Sequence, residues 1–301
     1  MFDSFFKSIS RGWRLFKLSA KIILEDKKLI VFPILSGIFS ILLLIGMIAP
    51  FLVVGLVSMS SEGAGNILVW VLLFVYYFAT AFLSIFFNVA LVHSLKSKLD
   101  GNGASVGQSL GFAMSRFFVI AQWAVLSAIV GIILRMIERA GGRNIIGRII
   151  AAIIATIIGA AWSILTFFVI PVLVYENLGV FATLKKSAQI FKNTWGEVVG
   201  AGIGSGFVFF LLFIAWAVLF FVLSIVFAMI FPLGIIFTLL LFFVGIVILV
   251  LFSRTVSSVT TALLYLYASQ QIVLPGFTED EMKDLFGQPK PKQVGLFGAI
   301  K

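Results

Sequence analysis

The chain has 301 residues, of which 61% are apolar and 11% are charged, and its mean hydropathy is +1.19. Soluble domains are about half apolar and a quarter charged, so this composition excludes an ordinary soluble protein and indicates a membrane protein. The formal net charge is +10, but the charges lie at the ends of apolar runs, which favours anionic lipid headgroups over nucleic acid as the partner.

The apolar runs predict transmembrane helices. Several uncharged runs exceed the roughly 20 residues that cross a hydrocarbon core of about 30 Å, and they do not alternate as the strands of a membrane barrel would. The predicted fold class is therefore all-α, with a single six-helix membrane domain over residues 1–271 and a cytoplasmic tail over residues 272–301. The predicted spans are residues 29–57, 66–95, 117–134, 145–175, 198–230 and 233–252, with a helical extension of the last span to 271.

The first 28 residues carry seven basic side chains. Five of them recur at helical spacing on one side, and the other positions hold mostly aromatic and aliphatic residues such as Trp13 and Phe16. This pattern predicts an amphipathic helix that lies in the membrane interface. A solvated charged arm is the alternative, but such an arm would not need so many aromatic residues.

The distribution of lysine and arginine predicts the orientation. With both termini in the cytoplasm, eighteen basic residues lie on the inner side and four on the outer side, and every lysine is on the inner side. The sequence therefore predicts a multi-pass protein of the cell membrane with both termini cytoplasmic.

The four outer basic residues are Arg135, Arg139, Arg143 and Arg148, in the segment 134–148 that joins the third and fourth spans. One interpretation is a rim that binds the phosphates of anionic lipids, with Glu138 pairing locally. Another is a recognition site for an anionic headgroup, a glycan or a partner protein, since a guanidinium group can donate two parallel hydrogen bonds to phosphate or carboxylate. A third interpretation is that the predicted number of spans is wrong by one around this loop.

A unit consisting of a helix followed by a span recurs along the chain. Aligning Ser19, Ser109 and Ser187 places apolar residues in register three positions later, and each segment then enters an apolar span after a charged or polar break. The sequence therefore predicts three helical hairpins, each preceded by an amphipathic helix along the cytoplasmic surface.

The clearest copy of this unit lies at Phe168–Trp195, which we call the elbow. Pro171 can kink the fourth helix near its end, and Asn177 is placed to cap the helix that follows. Glu176 lies near the N-terminus of that helix, where the helix dipole favours an anion, and it can pair with Lys185 or Lys186.

The elbow motif resembles a pattern found in a broad group of six-helix prokaryotic membrane proteins. That group includes the membrane domain attached to some glycerophosphodiester phosphodiesterases. The motif residues here are Pro171, Glu176, Ser187 and Trp195, and Thr183 stands where the pattern usually has alanine. The chain contains no phosphodiesterase catalytic domain, so the resemblance implies a fold and no activity.

Small residues predict close helix packing, because they let helix backbones approach each other in lipid. The sets are Gly147, Ala151, Ala155, Gly159 and Ser163 on the fourth helix, and Gly200 and Gly204 on the fifth. The first set predicts a central fourth helix that packs on a neighbour through this ridge. Oligomerisation through the same ridge is the alternative.

No arrangement typical of an active site is apparent. The carboxylates fall at span ends or in loops, whereas a proton-coupled pump needs ionisable groups within the membrane. His93 is the only histidine and the chain has no cysteine, so neither a metal site nor thiol chemistry is predicted. The glycine-rich segment at 101–107 lacks the preceding strand and the lysine of a phosphate-binding loop. We therefore predict no enzyme activity, no cofactor and no metal.

The leading hypothesis is a non-enzymatic integral membrane protein that acts as a scaffold, an accessory subunit or an organiser of lipid. Its predicted partners are membrane lipids, anionic ones in particular, and a protein partner or second copy of the chain, but not nucleic acid. The alternative is a transporter or lipid-handling protein whose outer arginines recognise an anionic headgroup.

Reporter insertions test the predicted orientation. A reporter inserted at residues 58–65 or 141–144 is expected to be active on the outer side, and one inserted at residues 98–104 on the inner side, because lysine and arginine are retained on the cytoplasmic side. A cytoplasmic signal from the insertion at 141–144 would contradict the orientation or the span count.

Overall fold

A computed structural model describes residues 2–60, 64–142, 144–230, 234–270 and 272. Within these ranges, all of the regular secondary structure is helical. The helices are α1 (Phe2–Glu25), α2 (Lys28–Ser60), α3 (Ala64–Leu99), α4 (Val106–Ser115), α5 (Phe117–Ala140), α6 (Ile145–Thr166), α7 (Val169–Tyr175), α8 (Val180–Ile230) and α9 (Gly234–Gln270).

Six helical stretches are long and apolar enough to cross a membrane, as predicted. They are Lys28–Val57, Ile67–Leu99, Phe117–Ala140, Ile145–Tyr175, Gly206–Phe227 and Ile236–Gln270. Length and composition thus indicate a multi-pass membrane protein.

The third span is longer than predicted. It was expected to end at residue 134, but α5 continues to Ala140, so Arg135 and Arg139 lie on a helix rather than in a loop. The reason is that charged side chains do not interrupt a helix. Arg135 and Glu138 form an ion pair at the i,i+3 spacing, which stabilises a helix. The first helix-breaking residues after this pair are Gly141 and Gly142.

The chain divides into two compact units. The first unit comprises Met1–Ile30 and Asn193–Lys301, and the second comprises Val31–Lys192. Near the second boundary, Thr194 has non-helical backbone angles (φ −124°, ψ 16°), so α8 consists of two helical segments joined at a kink. The single domain expected over residues 1–271 stays a prediction.

Helix α3 is the centre of packing in the second unit. It packs on α4, α5 and α7, while α6 packs on α5. The largest fully buried side chains here include Leu91, Leu95, Trp123 and Phe168. The fourth span was expected to be central, and that prediction was wrong for α6, which packs on α5 and has all nine of its isoleucines exposed.

In the first unit, α1 packs on α9. Leu15, Ile22 and Ile23 of α1 are buried, and Ser19 Oγ and Thr260 Oγ1 share a buried hydrogen bond of 2.8 Å. These apolar side chains of α1 are therefore covered by protein. With 37 residues, α9 is about 55 Å long at 1.5 Å per residue, which exceeds the thickness of a bilayer core.

The three aligned serines are all fully buried and all hydrogen-bonded. Ser109 Oγ lies 3.3 Å from His93 Nδ1 on α3, and Ser187 Oγ accepts a hydrogen bond of 3.0 Å from the backbone N–H of Phe168, just before α7. Ser19 makes the corresponding bond to α9. Each serine therefore joins two helices. Ser19, Ser109 and Ser187 lie on the helices that precede the first, third and fifth spans, and their partners lie in the sixth, second and fourth spans, respectively.

Substituting Ser187→Ala should destabilise the protein by about 1–3 kcal/mol, because it removes the acceptor from a buried backbone N–H group. Ser163→Ala is the matched control, since Ser163 is exposed and its hydroxyl donates to the Gly159 carbonyl of its own helix. Unfolding of both variants in one detergent measures the difference. Equal loss of stability in the two variants would contradict a specific role for Ser187.

Candidate functional site

The predicted outer arginines converge on one cleft, which we call the arginine cleft. Arg135 and Arg139 lie on the last two turns of α5, and Arg148 lies on the first turn of α6. Arg143 lies outside the residues that the structure describes. The cleft is open, has a volume of about 610 Å³, and is lined by Arg135, Glu138, Arg139, Ile145, Arg148, Ile149 and Ala152.

Glycines bring the two arginine-bearing helix ends together. Gly142 has a φ of 63°, in the left-handed region that favours glycine. A Cβ atom on Gly141 would lie 2.7 Å from the carbonyl oxygen of Gly147, and a Cβ atom on Gly147 would overlap the carbonyl oxygen of Gly141. Asn144 then caps α6 by accepting a hydrogen bond of 3.2 Å from the Ile146 N–H. The backbones of α5 and α6 are therefore in contact at the cleft.

The small-residue ridge of α6 continues this contact away from the cleft. Ala151 and Ala155 are the buried residues of α6, and a Cβ atom on Gly159 would lie 3.7 Å from Leu134 Cδ1 on α5. Ser163, at the far end of the ridge, is exposed. The ridge therefore packs on α5 from Gly147 to Gly159 and does not include Ser163.

The three arginines of the cleft have different surroundings. Arg135 Nη1 lies 3.2 Å from Glu138 Oε2, and both side chains are half exposed. The guanidinium group of Arg139 lies over the ring of Trp70 on α3, 4.8 Å from its centroid. The exposed side chain of Arg148 has no ion-pair or hydrogen-bond partner within the described part of the chain. The local pairing predicted for Glu138 is thus present, and the guanidinium group of Arg148 is available to a ligand.

One wall of the cleft is apolar. Ile145 and Ile149 are 70% and 56% exposed, and Ala152 follows them on the next turn of α6. Isoleucine side chains stay exposed further along the same helix, at Ile153 and Ile157. The arginine cleft therefore joins a cluster of cationic groups to an exposed apolar helix surface.

The arginine pattern in the sequence did not reveal the participation of Trp70. A tryptophan near the start of a predicted span is typical of the interfacial aromatic belt, and that was the available signal. Its partner Arg139 lies on another helix, so no spacing within one helix relates the two residues.

The elbow residues are held by local contacts. Helix α6 ends and α7 begins just before Pro171, whose ring excludes a hydrogen bond to the carbonyl four residues earlier. Glu176 Oε1 lies 3.3 Å from Lys186 Nζ, which is one of the two pairings that the sequence allowed. These contacts are those expected of a structural turn.

The predicted capping role of Asn177 was wrong. Asn177 has a φ of 47°, and α8 begins only at Val180. Asparagine tolerates this left-handed conformation, and the residue therefore forms the turn and not the helix cap. The other elbow residue, Trp195, and the glycines Gly200 and Gly204 lie on α8, but their surroundings are outside what the structure describes.

In the described residues, no group of three or more side chains that commonly bind metals could hold an ion. The expected lack of an enzyme activity and of a cofactor stays a prediction.

A family model matches residues 67–273, which is more than half of the chain. Its description is a family of unknown function, DUF6159. The chain belongs to this family. The DUF6159 region contains both the arginine cleft and the elbow.

No curated protein matches the chain, and no solved structure matches it. The comparisons do not show the resemblance to the membrane domain of glycerophosphodiester phosphodiesterases, which stays a prediction from the elbow motif.

The glycine contact at the cleft predicts the effect of one added methyl group. Gly147→Ala should destabilise the protein by about 1–3 kcal/mol, because the Cβ atom would overlap a backbone carbonyl that cannot move independently of α5. Gly159→Ala, on the same helix, should be nearly neutral because its Cβ atom meets Leu134 at an ordinary contact distance. Thermal unfolding in one detergent compares the two variants, and equal midpoints would contradict the close approach.

Proposed function

We propose that this protein is a non-enzymatic integral membrane protein that acts as a scaffold, accessory subunit or organiser of lipid, and that it holds an anionic headgroup in the arginine cleft. The observation that carries the proposal is the convergence of three arginines from two helices on one cleft. Of these, Arg148 has no partner among the described side chains.

The chemistry of the cleft favours phosphate or carboxylate. A guanidinium group donates hydrogen bonds in a planar fork that matches both groups. The stacking of Arg139 on Trp70 restricts one such fork before any ligand arrives, which reduces the ordering cost of binding. The exposed pair of Arg135 and Glu138 contributes little to stability, so Arg135 can turn to a ligand at small cost.

The proposed placement puts the cleft at the outer leaflet, with both termini in the cytoplasm and the six spans arranged as three hairpins. On the inner side, α1 would lie along the membrane surface. Its exposed side chains include Lys17, Lys21 and Trp13, and Lys17 lies over the Trp13 ring at 5.0 Å. Because Leu15, Ile22 and Ile23 are buried, the attraction of this part of α1 to lipid would come mainly from its basic side chains.

A transporter or lipid-handling protein is the second candidate, and the apolar wall beside the arginines supports it. A transport route, however, would need a continuous passage between helices. The lining of the arginine cleft ends at Ala152, about two turns along α6 from its start. Such a cleft suits the binding of a headgroup at the surface, and the scaffold role is therefore the better supported one.

Lipid analysis of the purified protein tests the proposal. Wild-type protein should retain about one anionic lipid per chain through gentle detergent purification, and Arg148→Gln should bind that lipid about tenfold more weakly, because a charge-assisted hydrogen bond is lost. Arg254→Gln, which removes an exposed arginine of α9, is the matched control and should behave as wild type. Mass spectrometry of intact complexes measures the occupancy.

Equal occupancy in wild type and Arg148→Gln would exclude the arginine cleft as the binding site. Co-purification of one protein in fixed stoichiometry would identify the accessory-subunit role among the three that are proposed.

A further inference from the structure

We infer that the ligand of the arginine cleft is a membrane lipid whose headgroup carries two negative charges, as a phosphomonoester does, and that the contact between Gly141 and Gly147 sets the spacing of the arginines that bind it. This inference rests on the proposed function and specifies the class of its ligand.

The charge of the cleft favours a doubly charged group. Its described lining contains three guanidinium groups and one carboxylate, a formal charge of +2. A phosphodiester carries one negative charge and leaves one positive charge uncompensated. A phosphomonoester carries about −1.5 to −2 at pH 7 and presents three acceptor oxygens. It therefore matches the cleft in both charge and number of acceptors.

The donors lie on two walls, which favours one group that bridges them. Arg139 lies on the wall formed by α5, where it is held against Trp70 of α3. Arg148 lies on the wall formed by α6. The distance between the walls is fixed where the backbones of Gly141 and Gly147 meet. A terminal phosphate can accept hydrogen bonds from both walls at once, because its three oxygens point in different directions.

The apolar wall identifies the source of the phosphate as a lipid. Ile145 and Ile149 are exposed beside the arginines, on a helix that is long and apolar enough to cross a membrane. A glycerolipid would place its phosphate at the arginines and its first acyl carbons against the isoleucines, whereas a free inorganic or sugar phosphate has no apolar part to contact them. The volume of about 610 Å³ also lies in the range of sites for whole small molecules and not for single ions.

Lipid binding by the full chain in detergent micelles tests the inference. The probes are phosphatidic acid (a phosphomonoester), phosphatidylglycerol (a phosphodiester with one charge), phosphatidylcholine (no net charge) and soluble glycerol phosphate. We expect phosphatidic acid to bind about tenfold more tightly than phosphatidylglycerol, because of the additional charge. Phosphatidylcholine and glycerol phosphate should bind more weakly than either.

The variants distinguish the effect of the cleft's charge from the effect of the distance between its arginines. Arg148→Gln changes an exposed side chain and should reduce the preference for phosphatidic acid over phosphatidylglycerol, while Arg254→Gln should leave the preference unchanged. Gly147→Ala should also reduce affinity for phosphatidic acid, and Gly159→Ala should not. If Gly147→Ala does not yield folded protein, the Arg148→Gln comparison still tests the cleft.

The possible outcomes are distinguishable. Equal affinity for phosphatidic acid and phosphatidylglycerol would overturn the inference and leave the proposed function intact. Equal binding of phosphatidylcholine and both anionic lipids would overturn the inference and the proposed function together. Competition by glycerol phosphate at the affinity of phosphatidic acid would identify the ligand as a soluble anion and overturn its assignment as a lipid.

Discussion

The contact between the backbones of Gly141 and Gly147 is the constraint on which the arginine cleft depends. Neither residue has a side chain, so the residue that caps the end of α5 and the first turn of α6 touch through backbone atoms. Between helices in lipid there is no hydrophobic driving force, and close backbone approach supplies dispersion contacts in its place. The positions of Arg139 and Arg148 on the two walls follow from this contact, and so does the volume available to a ligand.

Hydropathy predicted the six membrane-capable helices because a long apolar run is a property of local sequence alone. It did not predict where the third span ends. Arg135, Glu138 and Arg139 resemble loop residues by charge, but the i,i+3 spacing of Arg135 and Glu138 is also that of a stabilising ion pair within a helix. The helix continues until the glycines at 141 and 142, where the left-handed conformation of Gly142 turns the chain. The glycines therefore predict the end of α5 better than the charged residues do.

The contacts between helices were less predictable than the helices. The alignment of the three serines came from the sequence, but their partners did not. Ser19 bonds to Thr260 near the other end of the chain, and no local pattern relates the two residues. The same limit applies to Trp70, whose stacking with Arg139 restricts the guanidinium group in the cleft. The assignment of the fourth helix as central was wrong because a ridge of small residues predicts that a helix has a close neighbour, and not how many neighbours it has.

Photo-crosslinking is the most direct test of the central claim, which is that an anionic lipid headgroup binds in the arginine cleft. A phosphatidic acid analogue with a photoreactive group beside its phosphate would be incorporated with the wild-type protein into lipid nanodiscs, and crosslinked peptides would be mapped by mass spectrometry. Crosslinks are expected to concentrate in residues 135–152, which contain the described arginines and the isoleucine wall. Crosslinks confined to the basic residues of α1, with none in 135–152, would contradict this claim.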